Sequence, residues 1–121
     1  MKNDSVNWFE IPVVEMPRAA AFYEAVLATK LKREDFQGTS MAVLQAEGVS
    51  GALVTMPHRK PSKDGALLYL NTDGQLDAVL ARVVKAGGAV VMPRTEIGPQ
   101  GAIAVMLDTE GNEVGLHQEA P

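Results

Sequence analysis

Over residues 6–14, VNWFEIPVV, apolar and polar positions alternate. Phe9, Ile11 and Val13 fall on one face of a predicted strand, and Trp8, Glu10 and Pro12 on the other. The period then changes. In EMPRAAAFYEAVLATK, residues 15–30, apolar side chains recur at Ala19, Phe22, Tyr23, Val26 and Leu27, the i, i+3, i+4, i+7, i+8 stripe of an amphipathic helix. Pro17 suits its first turn, where a backbone N–H has no helical partner to lose. Three short strands are predicted near 30–37, 40–46 and 51–57, punctuated by Gly38, Gly48 and Pro57.

From Gly65 the order repeats. GALLYLNT reads as an apolar strand, and DGQLDAVLARVVKAGG as a helix with Asp73 placed to cap it and Gly87-Gly88 to stop it. Strands follow near 89–94, 101–108 and 113–118. A shift of 57 residues lays Ala19 on Leu76, Phe22 on Val79 and Val26 on Val83, so the helix stripes superimpose. The chain is therefore two βαβββ units, about 5–57 and 65–118, within a single domain spanning 1–121. One helix per unit to cover one sheet face implies an α+β fold rather than a parallel βαβ sheet. The joint PHRKPSKDG is either a solvated connection or a lid whose Arg59, Lys60 and Lys63 clamp an anionic ligand.

Composition narrows the chemistry by exclusion. The chain has no cysteine, which removes disulfides, a thiolate nucleophile and Cys-ligated zinc. A net charge of −4 argues against a nucleic-acid partner, which needs a clustered cationic excess. The first residues lack the apolar run of a signal peptide, and no apolar stretch approaches the ~20 residues of a membrane span; a soluble, cytoplasmic protein is expected. Nucleophile-elbow, phosphate-loop, dinucleotide and HExxH motifs are all missing, and GPQGA at 98–102 reads as a hairpin turn.

With FEIPVVEMPRAAAFYEAVL opening the first unit and DTEGNEVGLHQ closing the second, the chain resembles the vicinal oxygen chelate superfamily, which holds glyoxalase I, the extradiol dioxygenases and the bleomycin and fosfomycin resistance proteins. The resemblance implies a cup-shaped glyoxalase-like domain, a homodimer, and a divalent metal held by one side chain from the first and last strand of each unit. Carried onto this chain, those four positions fall on Trp8, Ala52 or a neighbour, Leu67 (Gly65 or Tyr69 in a shifted register) and Gly115. None is a customary donor for such a metal, so the expectation is no metal and no cofactor. The cup would instead bind a metabolite or drug-like molecule. The alternative is a glyoxalase- or dioxygenase-type enzyme, either metal-dependent through other residues or metal-free through Glu10 and His117.

Each candidate has two readings. Trp8 is an aromatic wall for a ligand or plain core, and Glu10 a cup-lining base or a solvated carboxylate. Tyr69 donates from its phenol or packs, and Asn71 binds a ligand oxygen or ends a strand. His117 shares the face of Gly115 and is an acid/base group or a half-exposed strand residue. Gly115 itself, in a strand interior, leaves room beside Trp8 for a bulky aromatic or a ligand.

Overall fold

A computed structural model describes residues 5–121. Unit one runs β1 (Trp8–Pro12), α1 (Met16–Leu27), β2 (Lys32–Phe36), β3 (Thr39–Leu44) and β4 (Ser50–Val54). Unit two runs β5 (Tyr69–Asn71), α2 (Leu76–Val83), β6 (Ala89–Glu96), a 3-10 turn at Gly98–Gln100, β7 (Ala102–Leu107) and β8 (Glu113–Gln118). The strand orders are β1-β4-β3-β2 and β5-β8-β7-β6, the same topology twice, with the first strand parallel to the last and the other pairings antiparallel. The α+β fold of two βαβββ units follows from the doubled pattern of apolar positions.

The predicted stripes form the core. Ala19, Phe22 and Val26 of α1 are buried, and so are their counterparts Leu76, Val79 and Val83 of α2. The two helices pack on one another, and Ile11 and Val13 join them from the strand face predicted to point inward. Gly88 lets this happen. A Cβ there would meet the Leu107 carbonyl oxygen at 2.5 Å and the Phe22 ring at 2.7 Å, so only glycine admits the aromatic ring of the other unit.

Two expectations need correction. The strand predicted over GALLYLNT shrinks to Tyr69–Asn71: Leu68 joins the sheet only through its carbonyl, which accepts the Gly115 N–H at 2.7 Å, and Ala66 and Leu68 line a cleft. Asp73 does not cap α2. The residue before the helix is Gln75, with no side-chain cap bond, while the Asp73 carboxylate accepts the Glu119 N–H at 2.7 Å and its own N–H goes to Asn71 Oδ1 at 2.9 Å. Asp73 and Asn71 are thus spent on a local Asx turn and on tying down the chain after β8. The glycine stop holds. Gly87 takes φ +106°, and the N–H groups of Gly88 and Gly87 bond the carbonyls of Val83 and Val84, closing the helix in a Schellman pattern.

Candidate functional site

β1 and β5 each lie at one edge of their sheet, and the space between these edges opens into two clefts. The first, about 650 Å³, is bounded by β1, the inter-unit connection and the start of β8. All of β1 contributes to its wall. Ile11 and Val13 turn inward and Trp8, Glu10 and Pro12 the other way; these last three line the cleft together with Phe9 and Ile11. Trp8 is 42% exposed, so it is a wall and not core; its Nε1 donates to Glu10 Oε2 at 3.3 Å.

The polar connection forms the opposite wall. It turns back on itself where Met56 bridges to Arg59, and it is tied to unit two further on: the Ser62 N–H donates to Asn112 Oδ1 at 3.0 Å and the Glu113 N–H to the Ser62 carbonyl at 3.4 Å. Arg59 and Lys60 line the cleft, and among the described residues neither has a carboxylate within ion-pair distance. Glu10, Asp64 and Glu113 line the cleft too, so it presents both signs of charge around an apolar floor that includes Pro12 and Val54.

A buried polar clip, which the sequence showed only as a turn, holds β1 in place. In the segment Asp108-Thr109-Glu110-Gly111-Asn112, Asn112 Nδ2 donates to the Pro12 carbonyl at 2.8 Å and to Asp108 Oδ2 at 2.9 Å. Asp108 Oδ1 accepts the N–H groups of Glu110 and Asn112, and Oδ2 accepts the Tyr23 hydroxyl at 2.7 Å. Burial, then the Asp108 charge and hydrogen bond, push the Tyr23 phenol well above its ordinary pKa, so it stays a donor.

Glu110 completes the clip. Its side chain is fully buried and accepts the N–H groups of Val14 and Glu15, each at 2.9 Å, at the entrance to α1. Arg18 donates to it through Nε at 2.7 Å and a terminal nitrogen at 3.0 Å, and the Thr109 hydroxyl adds a bond at 3.0 Å. Burial alone would raise this carboxyl's pKa. The Arg18 bond, the two backbone donors and Thr109 outweigh it and hold the group at about 2. A carboxylate of unit two therefore takes the capping role at the first helix of unit one, where Glu15 makes no side-chain cap.

The remaining predicted residues lie elsewhere. Tyr69 pairs with Gly115 across the parallel β5–β8 ladder, and a Cβ on Gly115 would overlap the Tyr69 ring. The aromatic that uses the missing side chain is Tyr69 rather than Trp8. Asn71 pairs with His117 and, like Tyr69, lines the second cleft. His117 lines neither cleft; its Nε2 donates to the Gln100 carbonyl at 2.7 Å, which places the ring proton on that nitrogen. Glu10 and His117 are not brought together in one cleft.

The positions that would hold the implied metal offer an indole at Trp8, a methyl at Ala52, a branched aliphatic chain at Leu67, and at Gly115 no side chain, with the Tyr69 ring over it. Divalent ions need carboxylate or imidazole donors converging on one point. Among the described residues no three such groups converge, so the residues present do not fit the metal.

Comparison with known proteins agrees with this architecture. Residues 5–116 match the family described as Glyoxalase/Bleomycin resistance protein/Dioxygenase superfamily. The glyoxylase-type protein CFP32 of Mycobacterium tuberculosis and of Mycobacterium bovis is 31% identical over 118 residues, 93% of this chain and 44% of its own. The chain thus spans less than half the length of these curated relatives. TnmS3, an antibiotic binding protein from a Streptomyces species, is 29% identical with a TM-score of 0.69, covering 99% of both chains. A glyoxalase/bleomycin resistance protein from Albidiferax ferrireducens superimposes with a TM-score of 0.74 at 16% identity over 96% of this chain and 100% of its own, a likeness of fold alone.

Proposed function

The chain belongs to the glyoxalase/bleomycin resistance protein/dioxygenase superfamily, and from that premise we propose that it is a small-molecule binding protein whose first cleft works without a metal. The observation that carries this reading is the donor set: an indole, a methyl and a bare glycine under a tyrosine ring stand at positions where the resemblance implies metal ligands. Similarity to an antibiotic binding protein over 99% of both chains supports it further. The ligand's planar part lies on Trp8, its apolar part on Pro12 and Val54, and an anionic group reaches Arg59 and Lys60. A metal-free enzyme using Glu10 and His117 would need the two groups in one cleft, whereas His117 is bonded to Gln100 outside it. A homodimer belongs to the same proposal, since β2 and β6, away from the clefts, each leave one strand edge unpaired.

Two measurements test it together. Elemental analysis of the purified protein is expected to find no stoichiometric divalent metal, and metabolites and aromatic antibiotics are then screened by thermal shift. A ligand that stabilises the native protein is expected to lose its effect on Trp8→Ala. That substitution itself is expected to cost under about 1 kcal/mol, because the indole is 42% exposed and its hydrogen bond lies at the surface. A stoichiometric metal whose removal by chelator abolishes ligand binding would overturn the proposal.

A further inference from the structure

The second cleft, about 1040 Å³, lies on the far side of Phe9 and Leu68, which line both clefts and divide them. Phe9 is seated over Gly51, where a Cβ would come within 2.5 Å of its ring, so the glycine reserves the place of this partition. The cleft is bounded by the C-terminal end of α1, the β3–β4 loop, β5 and α2. Its walls are mainly apolar, with Leu27, Leu44, Leu70 and Val79 beside the two dividing residues. A concavity of this size, apolar inside with a few polar groups at its rim, has the make-up of a small-molecule site.

The rim decides the ligand's chemistry. Three charged residues line it: Lys30, Arg82 and Asp73. Asp73 is already engaged by the Glu119 N–H at 2.7 Å. Arg82 gives its Nε to the Val26 carbonyl at 3.0 Å, which fixes the guanidinium at the rim and commits only one of its five N–H groups. Among the described residues neither Lys30 nor Arg82 has a carboxylate within ion-pair distance. The uncommitted charge around this apolar cleft is therefore cationic, although the whole chain carries −4. We propose that the second cleft is a separate binding site for a small apolar molecule bearing one anionic group, its chain against the half-buried Leu27, Leu44 and Leu68 and its anion on Lys30 and Arg82. The site does not depend on what the first cleft binds.

Decanoate and decanol, equal in chain length and differing in charge, probe it directly by titration of the full chain with amide chemical shifts as readout. Decanoate is expected to bind more tightly than decanol, against the general repulsion of a net negative protein. Shifts are expected in residues 27–31, 44–49 and 68–75. Lys30→Glu, at an exposed position, is expected to raise the decanoate Kd at least ~fivefold while leaving decanol unchanged. Equal binding of the two probes with no response to Lys30→Glu would overturn the proposal. So would shifts confined to 56–66 and 112–114, which would put decanoate in the first cleft.

Discussion

Replacing Glu110 with alanine is expected to cost about 3–5 kcal/mol, read as a lower urea midpoint at pH 7. This is the largest single effect predicted for the chain. The substitution leaves two backbone N–H groups at the entrance to α1 without an acceptor and strips Arg18 of its bidentate partner. Breaking a buried charge pair from one side costs in this range, because the loss includes the donors left behind. Arg18→Ala is expected to cost less, since that side chain is 47% exposed and Glu110 would keep its backbone donors. A domain of this size has roughly 5–15 kcal/mol in total, so Glu110→Ala leaves a marginal protein.

The same carboxylate sets an acid limb. Its pKa is about 2 in the folded chain, against 4.5 for an ordinary glutamate. The stabilisation is complete above about pH 4.5 and lost as pH falls through about 2, because the unfolded chain takes up the proton first. On the order of 2–3 kcal/mol is at stake, after allowance for screening at half-exposed Arg18. Glu110→Gln keeps an acceptor for one or both N–H groups but cannot titrate. Its stability curve between pH 4.5 and 2 is therefore expected to be flatter than that of the native protein.

These features differ in how far the sequence displayed them. The helix stripes were legible because each is local: Ala19, Phe22 and Val26 repeat at 57 residues as Leu76, Val79 and Val83, and all six are buried. The parity of β1 was legible for the same reason: Ile11 and Val13 are buried while Trp8 and Glu10 are exposed and line the first cleft. The clip was not. Glu110 lies 96 residues from Val14, and nothing in TEGN marks which distant amides it will accept. Asp73 misled because an Asx turn and a helix cap attract the same residue types. The start of GALLYLNT misled because apolar residues lining a cleft, here Ala66 and Leu68, look like apolar residues in a strand. The partner of Gly115 was placed across the cup, whereas the β5–β8 register supplies it from the adjacent strand.

Gly115→Ala carries the second large effect and isolates that register. A methyl at this position would overlap the Tyr69 ring, and position 115 is buried in a strand paired on both sides, so the backbone has little room to yield. The ring, already half in solvent, must therefore swing away and uncover the part of β8 on which it rests. A cost of about 1–3 kcal/mol is expected, the range for overpacking, even though alanine is the better strand residue. Tyr69→Ala removes the obstacle, so the double variant is expected to lose less than the sum of the singles by at least about 1 kcal/mol. Simple additivity in that cycle would mean that Tyr69 does not rest on Gly115. The cycle also bears on the metal question. Gly115→Glu combined with Tyr69→Ala supplies a carboxylate where the resemblance implies one and clears its space, yet Trp8 and Ala52 still offer no donor. That variant is expected to bind divalent metal no more tightly than the native chain, since one carboxylate does not make a converging set. On that result glycine at 115 is accounted for by the Tyr69 ring that rests on it, and a carboxylate placed there does not by itself make a metal site.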